Sequence, residues 1–252
     1  MRAFLPPFPS RLPVIAMLVA VACVSWSCSG GGNDDDSSGD DGGGPFMTPD
    51  ATGNYFPNPG FEEGADPWFT LEETAGFRVT DEYAHSGSNS AVLEMDDPAD
   101  ASGQGKVYYL VQDLTPEELP EVVEGYYRVE NWERGTPLQY LQFVVIAIGP
   151  DNNPTASTNF QLRYIIGGID APPFDIGNAH FVFLSRDDPV LGEWTEFGAN
   201  IREDFERLWG TIPENFDSLR LLFEVRWDHK SSGSGAPRAD VYYDDLYLGD
   251  AR

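Results

Sequence analysis

Residues that could carry enzyme chemistry are few and scattered in this sequence. The three histidines, His85, His180 and His229, lack the spacing of a metal site such as H-E-x-x-H. No serine lies in a G-x-S-x-G elbow. The only cysteines, Cys23 and Cys28, belong to the N-terminal segment, so the rest of the chain has no thiol nucleophile and no disulfide.

Paired carboxylates are a second possible source of catalysis, because a glycosidase uses two of them as acid and base or nucleophile. Adjacent acids occur at 117–118 and at 187–188. However, 42 acidic residues stand against 15 basic ones, so such pairs are expected by chance. The E-x-D-x-x-E spacing of sandwich-fold glycosidases is absent. The sequence therefore predicts a protein that is not an enzyme, with a glycan-active enzyme as the less favoured alternative.

A sugar-binding site needs aromatic faces beside side chains that hydrogen-bond hydroxyl groups. Residues 126–142 supply both kinds, and two adjacent strands would bring several of them together at one edge. The candidate ligand-binding residues are Trp132, Arg134, Tyr140 and Gln142, joined by Trp227 from a later strand. The alternative is that these aromatic side chains fill the core, as Tyr and Trp often do.

The N-terminus, residues 1–28, has the composition of an export signal. Two arginines precede an apolar run from Val14 to Val24, which is too short to cross a hydrocarbon core of about 30 Å. At Cys28 the composition changes to Gly, Ser and Asp, and this resembles the lipobox of bacterial lipoproteins, whose cysteine is acylated. Ser25 stands where that family prefers Leu. Lipidation of Cys23 and an ordinary cleaved signal are the alternatives.

Residues 29–53 are predicted to form a disordered tether, and residues 54–252 a single folded domain. Residues 29–45 contain Gly, Ser, Asp and Asn and close with a proline, so they have no apolar side chains to bury. As a Gly-rich coil, that stretch would span roughly 20–25 Å. It would therefore hold the domain away from a membrane surface.

The charge balance is strongly acidic, at −27 for the chain. Without the two arginines of the signal and the five aspartates of the tether, 13 basic residues face 37 acidic ones in residues 46–252. A domain with this excess repels nucleic acid and anionic lipid headgroups, so neither is an expected partner. The excess favours solubility and cation binding.

The periodic stretches of the domain predict an all-β fold. Short runs rich in β-branched and aromatic residues are bounded by Gly, Pro, Asn or Asp, which is typical of two packed antiparallel sheets. The predicted strands are Ala91–Met95, Val107–Gln112, Val122–Glu130, Tyr140–Ile148, Phe160–Ile166, His180–Leu184, Trp194–Phe197, Leu219–Trp227 and Val241–Leu248.

Two helical segments are also predicted. Thr115, as a cap before a proline and two acids, indicates a single turn between strands. Asn200 caps a fuller helix to Trp209, which Gly210 ends. Its apolar stripe indicates that it closes one end of the sandwich, with Trp209 in the core.

Four segments occur in an order that resembles the galactose-binding-like jelly roll of carbohydrate-binding modules, a group appended to many secreted glycanases. They are Asn58–Gly64, Trp68, Ser86–Leu93 and Val241–Leu248. The resemblance spans about residues 54–249, with its specific residues at the two ends. It implies a two-sheet antiparallel jelly-roll β-sandwich with one short helix and a glycan as ligand.

The resemblance also implies a structural calcium ion where the first and last strands meet. Modules of this kind carry Ca²⁺ there, and the ion takes six to eight oxygen ligands. Matched by position, the ligands would be the Gly60 carbonyl, the Glu62 carboxylate, carbonyls of the turn from Ser86 to Asn89, and the Asp244 carboxylate.

Strand parity with Leu246 and Leu248 predicts that Asp244 points inward, where an ion would offset the cost of burying its charge. The alternative is that Glu62 and Asp244 cap turns or pair with a base such as Arg78.

The resulting functional prediction is an exported lipoprotein, anchored through Cys28 to the cell envelope, with the outer membrane favoured. Its calcium-stabilised module would be a monomer that binds a polysaccharide or other glycan without catalysis. Its only contact with the membrane would be the lipid anchor. The alternative is a structural or protein-interaction component of the envelope without sugar affinity.

Overall fold

The computed structural model describes residues 46–71, 76–99, 105–169, 176–230 and 233–252. The predicted signal, both cysteines and residues 29–45 of the predicted tether lie outside the described residues. None of the helices in the described ranges has the length and apolar character needed to cross a membrane.

Two five-stranded sheets form a jelly-roll β-sandwich, which confirms the predicted fold class. The first sheet has the order β1-β2-β10-β4-β8 and the second β3-β9-β5-β6-β7. All neighbouring strands are antiparallel except β6 and β7. The strands are β1 (Phe77–Thr80), β2 (Ser90–Asp96), β3 (Lys106–Leu114), β4 (Val122–Glu133), β5 (Gln139–Ile148), β6 (Asn159–Gly167), β7 (Ala179–Phe183), β8 (Trp194–Asn200), β9 (Ser218–Trp227) and β10 (Arg238–Gly249).

The core lies between the two sheets because each strand alternates apolar and other side chains. On β9, Phe223, Val225 and Trp227 belong to the core cluster, whereas Glu224 and Arg226 take the opposite parity. Phe223 is fully buried, and its ring lies 5.5 Å from that of Tyr243 across the sandwich. Burial of such aromatic side chains is the main stabilising contribution in a domain without disulfides.

The helix α1 (Ile201–Trp209) has the predicted ends. The Asn200 side chain accepts a hydrogen bond from the backbone N–H of Glu203, at 2.9 Å. Gly210 ends the helix with a φ of 73°, a left-handed conformation that glycine adopts without strain. Ile201 and Phe205 are buried, so the helix packs with its predicted apolar stripe.

The predicted turn at Thr115 is not helical. Instead, the backbone there pairs with Met47. The Met47 N–H donates to the Thr115 carbonyl at 2.8 Å, and Met47 forms an isolated β-bridge with Pro116. The last residues of the predicted tether, 46–53, therefore lie against the sandwich. A short extended segment can lose its disorder in this way once its backbone has a partner.

Candidate functional site

Six polar side chains share the outer side of the second sheet, on the side opposite the core. We call this set the polar face. Strand register places Glu224 beside Gln142 and Arg226 beside Tyr140, and it places Arg163 beside Val144. The members are Tyr140, Gln142, Arg163, Glu224, Arg226 and Asp228, the last following the end of β9.

The centre of the polar face is a buried hydrogen-bond network. Glu224 and Gln142 are 3% and 0% exposed, and the Gln142 Nε2 donates to Glu224 Oε2. The same oxygen accepts from Arg226 Nη1 at 3.3 Å. Arg226 Nε donates to Asp228 Oδ2 at 3.1 Å, and the Tyr140 hydroxyl donates to that oxygen at 3.2 Å. Donors and acceptors are thus fixed in position before any ligand arrives.

The protonation states of Arg226 and Tyr140 are set by burial and by the neighbouring groups of the network. Burial opposes the positive charge of Arg226, but Tyr140, Asp228 and Glu224 together raise its pKa well above its ordinary value. Burial likewise raises the pKa of the Tyr140 hydroxyl, which therefore stays a donor at neutral pH. The network presents a cation, two carboxylates, an amide and a phenol within one patch of sheet.

Aromatic side chains flank the polar face on two sides. On the β3 side, Phe69 pairs by backbone with Val111 and packs on a small apolar cluster. On the β7 side, Phe181 and Phe183 pack against a cluster that contains Tyr140. All three phenylalanines are partly exposed. Partly exposed rings beside fixed polar groups are the combination that a sugar ring requires.

Two of the five predicted ligand-binding residues, Tyr140 and Gln142, lie on the polar face. Trp227 does not, and that part of the prediction is wrong. Its side chain is 0% exposed and belongs to the core. Its parity on β9 is that of Phe223 and Val225, so the residues of this segment that reach the outer face are Glu224 and Arg226.

Trp132 and Arg134 are also placed elsewhere. Trp132 belongs to β4 and Arg134 follows it, so both lie at the end of a first-sheet strand, whereas Tyr140 belongs to β5 in the second sheet. The predicted adjacency of the two strands is wrong because the chain crosses between sheets there. Trp132 Nε1 donates to Asp188 Oδ1 at 3.2 Å, and Arg134 pairs with the same carboxylate.

Arg163, Glu224, Arg226 and Asp228 are members of the polar face that are not among the five predicted ligand-binding residues. A signal for them exists, since Glu224, Arg226 and Asp228 occupy every second position after the apolar Leu222. Polar residues at this spacing on an otherwise apolar strand indicate a face that is not core.

The predicted calcium ligands meet around one turn, residues 85–89. Glu62 Oε1 accepts from the backbone N–H groups of Ser88 and Asn89, both at 2.8 Å. Asp244 Oδ2 accepts from the N–H groups of His85 and Ser86, at 2.7 and 3.2 Å. The early glutamate and the late aspartate are thereby tied to the same turn, which is the capping role that the sequence left open as an alternative.

Asp244 does not have the parity that the sequence predicted. The pairing of β10 with β4 shifts register between Asp244 and Tyr247, and Asp245 has a φ of 49°. This bulge adds a residue, so Tyr243 and Leu246 both belong to the core and Asp244 does not share the face of Leu246. Asp244 is nevertheless 0% exposed.

Whether this turn suits Ca²⁺ depends on the carboxylate oxygens of Glu62 and Asp244 that do not accept hydrogen bonds from the turn. Asp244 Oδ1 accepts from the Asp245 N–H at 2.7 Å and lies beside Gly60. Glu62 Oε2 lies next to Gly87 and has no hydrogen bond to the described residues. Two carboxylates therefore retain lone pairs, which suits a hard cation. The described residues contain no group of three or more acidic, His or Cys side chains arranged for a metal, so backbone carbonyls would supply the remaining ligands.

A cleft of about 430 Å³ lies on the outer face of the first sheet, next to this turn. The His85 ring stacks on Tyr126 with centroids 3.7 Å apart, and His85 Nδ1 lies 2.6 Å from Asp245 Oδ2. Its lining includes three acids, Glu124, Glu196 and Asp245, and one arginine, Arg252. It lacks the network of paired charges that the second sheet presents.

No protein-family model matches the sequence, and no curated protein matches it. Among solved structures, the chain is similar to a family 61 carbohydrate-binding module in complex with β-1,4-galactotriose, at 16% identity and a TM-score of 0.40, over 77% of this chain and 97% of the other. A family 16 carbohydrate-binding module matches at 14% identity and a TM-score of 0.42, over 76% and 96% of the two chains. A family 28 module specific for non-crystalline cellulose matches at 15% identity and a TM-score of 0.44, over 77% and 94%. The ligands named for these modules are properties of those proteins.

Proposed function

We propose that this chain binds a carbohydrate through the polar face and does not transform it. The observation that carries the proposal is the buried network of Gln142, Glu224 and Arg226 on an outer sheet surface, flanked by partly exposed phenylalanines. Sugar hydroxyls both donate and accept, and this network offers fixed groups of each kind. Rings on either side supply apolar contact for the C–H faces of the sugar.

The carboxylates of the polar face do not support a glycosidase. Glu224 and Asp228 both contact the single guanidinium of Arg226, at 3.3 and 3.1 Å. A glycosidase instead places two carboxyl groups on either side of the scissile bond. The geometry favours a positioning role for these acids.

Binding is tested with the full chain on a glycan array, followed by calorimetry with the oligosaccharide bound best. Gln142→Leu keeps the side-chain size but removes the amide, and we expect it to weaken binding about 10- to 100-fold. Trp132→Leu is the control, because Trp132 belongs to a first-sheet strand and its Nε1 donates to Asp188, which is not a member of the polar face. Equal affinity in folded Gln142→Leu, or a wild-type protein that binds no glycan, would contradict the proposal.

The second candidate function is an interaction component of the cell envelope. The observation that favours it is a set of exposed hydrophobic side chains, Leu184, Val190 and Leu191, which are 42%, 56% and 51% exposed. Exposed apolar clusters often mark protein contacts. This function becomes the leading one if the array shows no glycan binding.

A structural Ca²⁺ ion at the 85–89 turn is also proposed, with Glu62 and Asp244 as its charged ligands. Ca²⁺ at about ten times its dissociation constant is expected to raise the melting temperature by about 3–6 °C relative to EDTA. Glu62→Gln should lose that response, because it removes one carboxylate while preserving the acceptor for the turn. An identical melting temperature with and without Ca²⁺ in the wild-type protein would contradict the proposed calcium site.

Export and lipidation at Cys28 are proposed from the sequence alone. Metabolic labelling with a palmitate analogue in a bacterial host should label the wild-type chain and Cys23→Ser, and should fail in Cys28→Ser. Label is expected in the outer-membrane fraction. Label lost only in Cys23→Ser would move the lipid to that cysteine, and a wild-type chain without label would indicate an ordinary secretory signal.

A further inference from the structure

Arg163 differs from the other cations of the polar face and its surroundings. Arg226 and Arg220 each contact carboxylates on the same outer surface. Within the described ranges, no Asp or Glu lies within ion-pair distance of Arg163. Its one hydrogen bond runs from Nε to the neutral Gln161 Oε1 at 3.0 Å. This is an unusual position in a chain with 42 acidic and 15 basic residues.

The charge of Arg163 has neither a carboxylate partner nor full exposure to water, and its guanidinium carbon lies 5.9 Å from the centre of the Phe181 ring. The side chain is partly buried on β6, between Val144 on one neighbouring strand and Phe181 on the other. Burial lowers its pKa; Glu224 opposes that effect and Arg226 adds to it. The guanidinium is therefore desolvated. It lies close enough to Glu224 for an electrostatic interaction but makes no hydrogen bond to it. Placing an anion against such a group recovers the cost of its burial.

Gln142, close to Arg163, has an unsatisfied acceptor atom. Gln142 donates through Nε2 to Glu224, but its Oε1 is buried and has no hydrogen-bond partner. Gln142 lies opposite Ile165 and Arg163 lies opposite Val144, so the two are diagonal neighbours across β5 and β6. Diagonal neighbours in a sheet lie about 7–8 Å apart, a separation that one monosaccharide unit can span.

We infer that the glycan bound at the polar face carries a carboxylate, as in a uronic acid residue, and that Arg163 binds this group. The inference rests on the proposed function. A planar carboxylate matches the fork of guanidinium N–H donors, and Gln142 Oε1 accepts a hydroxyl of the same or the next sugar. Arg163 is a specificity-determining residue, while the Gln142–Glu224–Arg226 network binds the neutral part of the ligand.

The net negative charge of the protein does not prevent this contact. Charges separated by more than about 8 Å are largely screened at physiological ionic strength. The acids nearest to Arg163 on the polar face, Glu224 and Asp228, both pair with Arg226, which offsets one of their two negative charges. A short-range bond to a desolvated guanidinium therefore dominates at the site. The repulsion affects the rate of encounter and should appear as faster association at higher salt.

The test compares uronic acid oligosaccharides with the same oligosaccharides after reduction of their carboxyl groups to alcohols. We expect the wild-type full chain to bind at least one acidic oligosaccharide about tenfold or more tightly than its reduced form. Arg163→Gln should lose this preference and bind the acidic and the reduced forms with similar affinity. Arg220→Gln, on the same outer surface but paired with Asp113 at 2.7 Å, should keep the preference.

The outcomes separate the two proposals. Equal binding of acidic and reduced forms by the wild-type protein would overturn the inference and leave the proposed function standing. A preference that survives in folded Arg163→Gln would overturn the role of Arg163. Binding of neither form, together with a blank glycan array, would overturn the proposed function and the inference with it.

Discussion

Replacing Glu224 with alanine is expected to lower the free energy of unfolding by about 3 kcal/mol. Glu224 is 3% exposed, and its Oε2 accepts hydrogen bonds from Gln142 and from Arg226. Without it, the Gln142 amide loses its acceptor in a fully buried place. Arg226 keeps Asp228, which prevents a larger loss. Urea denaturation followed by tryptophan fluorescence measures the change.

Asp113→Ala is the matched control for this prediction. Asp113 lies on the same outer surface and pairs with Arg220 at 2.7 Å, but the aspartate side chain is 36% exposed. Exposed pairs contribute about 0–1 kcal/mol, so this variant should be nearly as stable as the wild-type protein. Similar losses in both variants would show that the polar face is not a buried network.

Lowering the pH from about 7.5 to about 5 in the absence of divalent cations is expected to stabilise the protein by about 1 kcal/mol through Asp244 alone. Burial raises the pKa of Asp244 from 3.8 to about 6, against the lowering effect of its bonds to the His85 and Ser86 N–H groups. Because the folded-state pKa lies above the unfolded value, the folded protein takes up a proton first. Stability from this group therefore rises as the pH falls through about 6.

Asp244→Asn isolates this effect from the general relief of repulsion in an acidic protein. Asparagine keeps the shape of the side chain but does not titrate. Over the same pH interval, the free energy of unfolding of Asp244→Asn should therefore rise by about 1 kcal/mol less than that of the wild-type protein. The comparison uses denaturation midpoints at both pH values. Parallel pH profiles for the two proteins would mean that Asp244 is not held in a desolvated position.

Most of the fold followed from the sequence because strand alternation is a local signal. Nine of the ten strands in the described part of the chain overlap a predicted strand. The strand that was missed, β1, has only four residues and includes Arg78 and Thr80, so its pattern is too short to recognise. Helix α1 followed from its cap and its glycine, which are equally local.

The candidate site could be predicted from the sequence only in part, because its composition depends on which sheet each strand joins. Tyr140 and Gln142 share the outer face of β5, whereas Trp132 and Arg134, predicted to lie beside them, lie at the end of a strand that belongs to the other sheet. The predicted side-chain direction of Asp244 was wrong because β10 contains a bulge after this residue. A bulge needs only one additional residue and has no distinctive sequence. Trp227 was an avoidable error, since its own strand alternates clearly.

The most direct test of carbohydrate binding by the polar face is an NMR titration of ¹⁵N-labelled protein with the oligosaccharide that binds best. The backbone amides of Tyr140–Val144 and Leu222–Arg226 should shift in a saturable way, while those of the first sheet stay in place. Shifts confined to the cleft beside Tyr126, or to the region of Trp132, would contradict the account.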